Sequence, residues 1–95
     1  MVVCYILYSK SLDKYYIGFT QESILSRLEK HNSSYYDKTF TGIALDWSVY
    51  LVILCNTVSQ GVRIEKHIKK MKSRVYIENL LRYPEMIEKL LQKFI

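Results

Sequence analysis

VVCYILYSKSLDKYYIGFT, residues 2–20, is the stretch on which the fold turns. Val2 to Tyr8 and Tyr15 to Phe19 are β-branched, aromatic and aliphatic, and the polar run Ser9 to Lys14 parts them, which predicts a β-hairpin with a short loop. Beyond it, Thr20 is placed to cap a helix whose first turn carries Glu22 and whose apolar stripe is Ile24, Leu25 and Leu28, ending near Asn32-Ser33-Ser34. Tyr35 to Asp46 has no period and is expected to be a loop. Trp47 to Cys55 is nearly continuously apolar and reads as a third strand, central in the sheet or covered on both faces. Thr57-Val58-Ser59-Gln60 carries the capping-box pattern and starts a helix running to about Met71. Ser73 caps a third helix, and Pro84 stands at the first turn of a fourth whose buried stripe is Met86, Ile87, Leu90, Leu91 and Phe94. The expected order is β-β-α-β-α-α-α, an α/β arrangement of the α+β kind in which helices flank a small sheet.

With 95 residues there is room for one core, so residues 1–95 are expected to form a single domain. A hydrophobic share of 49%, one Pro and three Gly belong to an ordered globular chain. No apolar run approaches the roughly 20 residues that cross a bilayer, and the N-terminus lacks a charged segment followed by a cleavage site, so the protein is expected to be cytoplasmic. Cys4 and Cys55 lie in apolar strand-like runs without metal-ligand spacing and read as buried free thiols, with a disulfide or a metal pair as the alternative. P-loop, HExxH, GxSxG and Cys-rich zinc patterns are absent, which removes support for ATP hydrolysis, zinc peptidase and hydrolase-elbow chemistry. A net charge of +5 favours an anionic partner, and six of the basic residues fall between Arg63 and Arg74 with only Glu65 opposing them. That cluster is expected to form one positive face.

Glu65 is the most informative residue of the second helix. On a helical wheel it projects from a stripe assigned to Val58, Val62, Ile64, Ile68 and Met71, where a carboxylate is costly unless it is paired or holds a cation. Arg27 and His31, four apart on the flank of the first helix, either form a solvated edge or act together, Arg as a phosphate-binding fork and His as a proton carrier. Tyr5 and Tyr16 share one face of the hairpin only in one strand register; a slip of one residue separates them. A phenol pair beside a cation can relay a proton to or from an attacking water.

Taken in order, these residues resemble the GIY-YIG nuclease family. Val3-Cys4-Tyr5 stands in the GIY place, Tyr16-Ile17-Gly18 in the YIG place, Arg27-Leu28-Glu29-Lys30-His31-Asn32 follows the first-helix pattern, and Glu65 lies within Ile64-Glu65-Lys66-His67. The likeness is especially to its short stand-alone bacterial members, which are similar to the nuclease domain of a structure-specific endonuclease. It implies a three-stranded, largely antiparallel sheet flanked by helices, with the core motifs in about residues 2–74 and extra helices in about 75–95. It also implies a metal-dependent endonuclease that hydrolyses DNA by direct attack of water, with selectivity for branched structures and a role in DNA repair or recombination as further expectations. The alternative is a nucleic-acid-binding module of the same fold with little activity. By the resemblance, Glu65 anchors one divalent cation, normally Mg²⁺ with Mn²⁺ as a substitute. Tyr5 helps to activate water, Arg27 stabilises the charged transition state, and Tyr16 and His31 line the site. Asn79 is the nearest candidate for a family asparagine beyond the metal-binding Glu. Lys66, Lys69, Lys70, Lys72 and Arg74 are the expected phosphate track on DNA, with RNA as a second possible substrate. With no appended targeting module, substrate selection is expected to come from this domain itself or from a targeting partner protein.

Overall fold

The computed structural model describes residues 2–33 and 44–95. Its elements are β1 (Val2–Ser9), β2 (Lys14–Thr20), α1 (Ile24–Asn32), β3 (Trp47–Cys55), α2 (Val58–Met71), α3 (Arg74–Arg82) and α4 (Pro84–Lys93), in the α+β order expected. Residues 34–43, most of the expected loop, lie outside the described residues.

The sheet has the order β2-β1-β3 and is antiparallel throughout. β1 is therefore central, and β3 is an edge strand, contrary to the expectation drawn from its apolar run. Its two faces differ: Leu51, Ile53 and Cys55 pack into the core under the helices, whereas Val49, Val52 and Leu54 stay exposed. The register slips between Ile6, opposite Leu51, and Leu7, opposite Val49, which leaves Tyr50 as an extra residue. A bulge of this kind breaks the two-residue alternation, so the strand's sequence shows no clean inside and outside.

The strand buried on both faces is β1, where Val3 to Leu7 are all at most 1% exposed. Cys4 and Ile6 face a core completed by Ile53, Ile64, Ile68, Ile77, Leu80 and Leu90, which seats α2, α3 and α4 on that side. Val3, Tyr5 and Leu7 face a smaller core with Ala44 and Trp47, packed by Ile24 and Leu28 of α1. Each large aliphatic side chain so buried stabilises the fold by about 1.5–3 kcal/mol.

The helix starts follow from capping groups. The Thr57 hydroxyl accepts from the Gln60 amide, and Ser73 accepts from the Tyr76 amide, both at 3.1 Å. Gln60 is itself buried; its Oε1 accepts from the Asn56 amide and its Nε2 donates to the Leu91 carbonyl, fastening the start of α2 to the end of α4. Thr20 does not cap α1. It ends β2, its hydroxyl accepts from the Glu22 amide at 2.9 Å, and α1 begins only at Ile24 after Ser23, so Glu22 precedes the helix. Leu25 also leaves the expected stripe and is 70% exposed, its place on the inner face being taken by His31.

In α2 the buried residues are Gln60, Gly61, Ile64 and Ile68, while Val58 and Met71 are exposed. The true stripe steps by three and four from Gln60, so Glu65 stands at its margin rather than inside it. Cys4 and Cys55 are free thiols, Cys4 buried and Cys55 partly exposed; burial pushes the Cys4 thiol up to about 12, which leaves it protonated and unreactive. Among the described residues, no helix is long and apolar enough to cross a membrane.

Candidate active site

The hairpin register sets the first part of the site. Tyr5 pairs with Gly18 and Leu7 with Tyr16, so Tyr5 and Tyr16 are diagonal neighbours on one face, with ring centroids 6.4 Å apart. The Tyr5 ring lies across Gly18: a Cβ at that position would come 2.5 Å from the Tyr5 hydroxyl oxygen. Glycine inside a strand marks such a close approach, and this is the signal by which its role could have been read from sequence. Gly18→Ala is expected to displace the Tyr5 ring, lowering stability by about 1–3 kcal/mol as overpacking does. A larger loss of cleavage than of stability is also expected, and chemical denaturation combined with a nuclease assay measures both.

From α1, His31 reaches the same place. It is 1% exposed, its ring centroid is 4.7 Å from that of Tyr16, and its Nε2 lies 3.1 Å from the Tyr5 hydroxyl oxygen. Arg27, one turn earlier, is half-buried with its Nε out of solvent contact. The end of α1 is pinned by Asn32, whose amide accepts from the Trp47 backbone N–H at 2.6 Å and donates to the Trp47 carbonyl at 2.7 Å. This two-way bond, which the sequence alone did not show, ties the helix that carries Arg27 and His31 to the first residue of β3.

Burial first, and then the nearby Arg27 charge, holds His31 down to about 4, so it is neutral near pH 7. Because the unfolded chain takes up this proton near 6.5, folding stability falls as the pH drops from about 6.5 to about 4. His67, also held down by burial and by Lys93 and Lys70, adds to the same loss. Urea unfolding at pH 7 and pH 5 should show a smaller stability difference for His31→Gln than for the wild type.

Glu65 comes from α2, which packs on the opposite sheet face. Gly61 rests on the Phe19 ring, and further along the helix Ile68, Lys69 and Lys72 flank Tyr15 and Ile17. Between these contacts α2 carries Glu65, near enough for its charge to act on the Cys4 thiol of β1. Its side chain is 19% exposed, and its carboxylate lies 3.6 Å from the Lys69 ammonium.

Residues 1–79 match the model of the GIY-YIG catalytic domain. This chain belongs to the GIY-YIG family of nucleases. No curated protein and no solved structure matched the chain. Members of the GIY-YIG family act on DNA, and the cluster of Tyr5, Tyr16, Arg27 and His31 is built from this chain's GIY, YIG and first-helix segments.

The basic residues of this GIY-YIG chain do not share one face. Lys69 and Lys72 look toward the hairpin, where they line a cleft of about 260 Å³ with Lys14, Tyr15 and Arg74. Lys66 and Lys70 turn to the other side of α2 and line a separate groove with Arg63, His67 and Phe94. Arg74 is engaged internally: its guanidinium donates twice to the Asp13 carboxylate, at 2.7 and 3.2 Å, and lies over the Tyr15 ring. Asp13, with φ 52°, also accepts from the Tyr8 hydroxyl, so this cluster locks the hairpin turn to α3. Asn79 is partly buried on α3, whose Ile77 and Leu80 join the core on the sheet face away from Tyr5, and its backbone carbonyl accepts from the Tyr83 amide.

Proposed function

We propose that the chain is a metal-dependent endonuclease that hydrolyses DNA phosphodiester bonds by direct attack of water. The observation that carries this reading is the buried contact between the Tyr5 hydroxyl and His31 Nε2, with Arg27 one turn away, inside a matched nuclease domain. A neutral His31 whose Nε2 is unprotonated accepts a hydrogen bond from Tyr5, leaving the phenol oxygen lone pairs to take a proton from water. Tyr5 then receives the water's proton as its own passes to Nε2, and neither group carries charge beforehand. Tyr16 packs against His31 and holds the pair in place. The Arg27 guanidinium binds the non-bridging oxygens, whose charge grows in the transition state.

The donor set fits a single hard cation. The described residues gather no three His, Cys, Asp or Glu side chains as a ligand cluster, and Glu65 alone is a hard oxygen donor. Mg²⁺, with Mn²⁺ as its substitute, needs only one or two carboxylates and keeps several waters. Glu65 would hold it, and when bound the ion supplies charge neutralisation at the phosphate. Glu65 must exchange its ion pair with Lys69 for this role, and a 3.6 Å pair whose lysine is half in solvent is worth only about 0–1 kcal/mol.

The Glu65–Lys69 pair also favours a second reading, a nucleic-acid-binding module with little activity. Incubation with labelled duplex, single-stranded and branched DNA, and with RNA, in Mg²⁺, Mn²⁺ or EDTA separates the two. Cleavage abolished by EDTA supports the nuclease; binding without cleavage in any metal selects the module. A preference for branched DNA in the same assay would support a role in repair or recombination, where a partner protein could deliver the domain.

A further inference from the structure

At 100° per residue, Arg63, Lys66 and Lys70 fall within roughly 60° of one another on α2 and roughly 100° or more from Glu65. They therefore point away from the side of α2 that carries Glu65, and α2 itself lies on the sheet face opposite Tyr5. Across the adjoining groove stand Lys89 and Lys93 of α4, which with Tyr76, Met86 and Leu90 line a second depression of about 180 Å³. His67 borders both grooves, and the Phe94 ring gives the first an aromatic wall. None of the ion pairs among the described residues involves Arg63, Lys66, Lys70, Lys89 or Lys93. Of the two α4 carboxylates, Glu85 lies a turn before Lys89 and Glu88 is turned roughly 100° round the helix from it, so the cationic excess remains large. His67 between the grooves has its proton affinity lowered by burial first, and Lys93 and Lys70 add to that lowering.

We infer that this α2–α4 surface is a second binding site for a nucleic-acid backbone, separate from the site of cleavage. The inference rests on the nuclease reading for its ligand, because five cations around two open grooves with aromatic walls are complementary to a polyphosphate. A straight segment lying over Tyr5 and His31 cannot also lie on the outer side of α2. The ligand is therefore a second arm of a forked or bent substrate.

The test compares the wild type with Arg63→Glu/Lys89→Glu/Lys93→Glu, and with the milder Lys89→Gln/Lys93→Gln, after melts have shown both to be folded. Binding to a forked DNA and to a linear duplex equal to one of its arms is measured by anisotropy in EDTA over a range of salt. Expected for the triple variant are a loss of at least about tenfold in affinity for the fork, a salt slope reduced by about 3, and little change for the single arm. Unchanged binding of both DNAs would overturn the inference. So would equal loss on both, which makes the surface part of one continuous track. Unchanged DNA binding with lost retention on polyglutamate would assign the surface to an acidic protein instead. Because binding is read without metal, a wild type that binds DNA yet cleaves nothing in Mg²⁺ or Mn²⁺ counts against the nuclease reading alone.

Discussion

Glu65→Gln is expected to reduce metal-dependent cleavage by at least about 10³-fold, the rate equivalent of the several kcal/mol that a metal supplies to a phosphoryl transition state. The substitution keeps the shape and the hydrogen-bonding reach of the side chain and removes the charge that a hard cation requires. Stability should hardly change. Glu65 stands at the margin of the α2 stripe, its ion pair is with a half-exposed Lys69, and losing such a pair costs about 0–1 kcal/mol. Affinity for DNA in EDTA should persist or rise, since a negative charge near the phosphate is gone. Melts with and without Mg²⁺, alongside one cleavage time course, read all three quantities. A folded variant with wild-type cleavage would remove Glu65 from the mechanism, and a variant that unfolds would mean that the carboxylate serves the core.

What the sequence could show depended on whether local chemistry decided the structure. The hairpin, the capping of α2 by Thr57 and of α3 by Ser73, and the start of α4 at Pro84 each rest on a few adjacent residues, and the order of elements followed from them. Thr20 shows the limit of that logic, because a hydroxyl that can cap a helix can equally close a turn onto the amide two residues on. The place of β3 was hidden for a different reason. Its apolar run reads alike for a central strand and for an edge strand with one bare face, and the bulge at Tyr50 removes the alternation that would separate them. Strand β1, buried on both faces, is the one whose apolar character meant centrality.

The candidate site was legible in its parts but not in its assembly. Whether Tyr5 and Tyr16 meet is a question of register, which the six-residue polar run could not fix and the Tyr5–Gly18 pairing does. The bracing of α1 by Asn32 on the Trp47 backbone joins residues fifteen apart through groups that carry no sequence period. The basic cluster shows the reverse error. Six cations in twelve residues look like one patch when counted along the chain, yet helical rotation sends Lys66 and Lys70 away from Lys69 and Lys72, and Arg74 is committed to Asp13.

Arg27→Ala is expected to lower the cleavage rate by about 10²–10³-fold, the range found when one donor to a developing negative charge is removed, while substrate affinity falls much less. The asymmetry follows from where Arg27 sits. It is half-buried on α1, one turn from a His31 that contacts Tyr5, so its charge acts where water exclusion strengthens it. The same charge helps to keep His31 neutral, which gives the variant a second signature. Without Arg27 the His31 proton affinity should move up from about 4 toward its ordinary value, as far as burial, the larger cause, allows. Residual activity should then be lost at a higher pH on acidification than in the wild type, because a protonated Nε2 can no longer accept the Tyr5 proton. Arg27→Lys separates charge from shape: it should restore the pH profile of cleavage but not its full rate, since an ammonium cannot reproduce the planar fork that a guanidinium offers to two phosphate oxygens. A lysine variant as fast as the wild type would show that Arg27 acts as a point charge. An alanine variant with unchanged cleavage would show that the transition state draws its stabilisation from other groups.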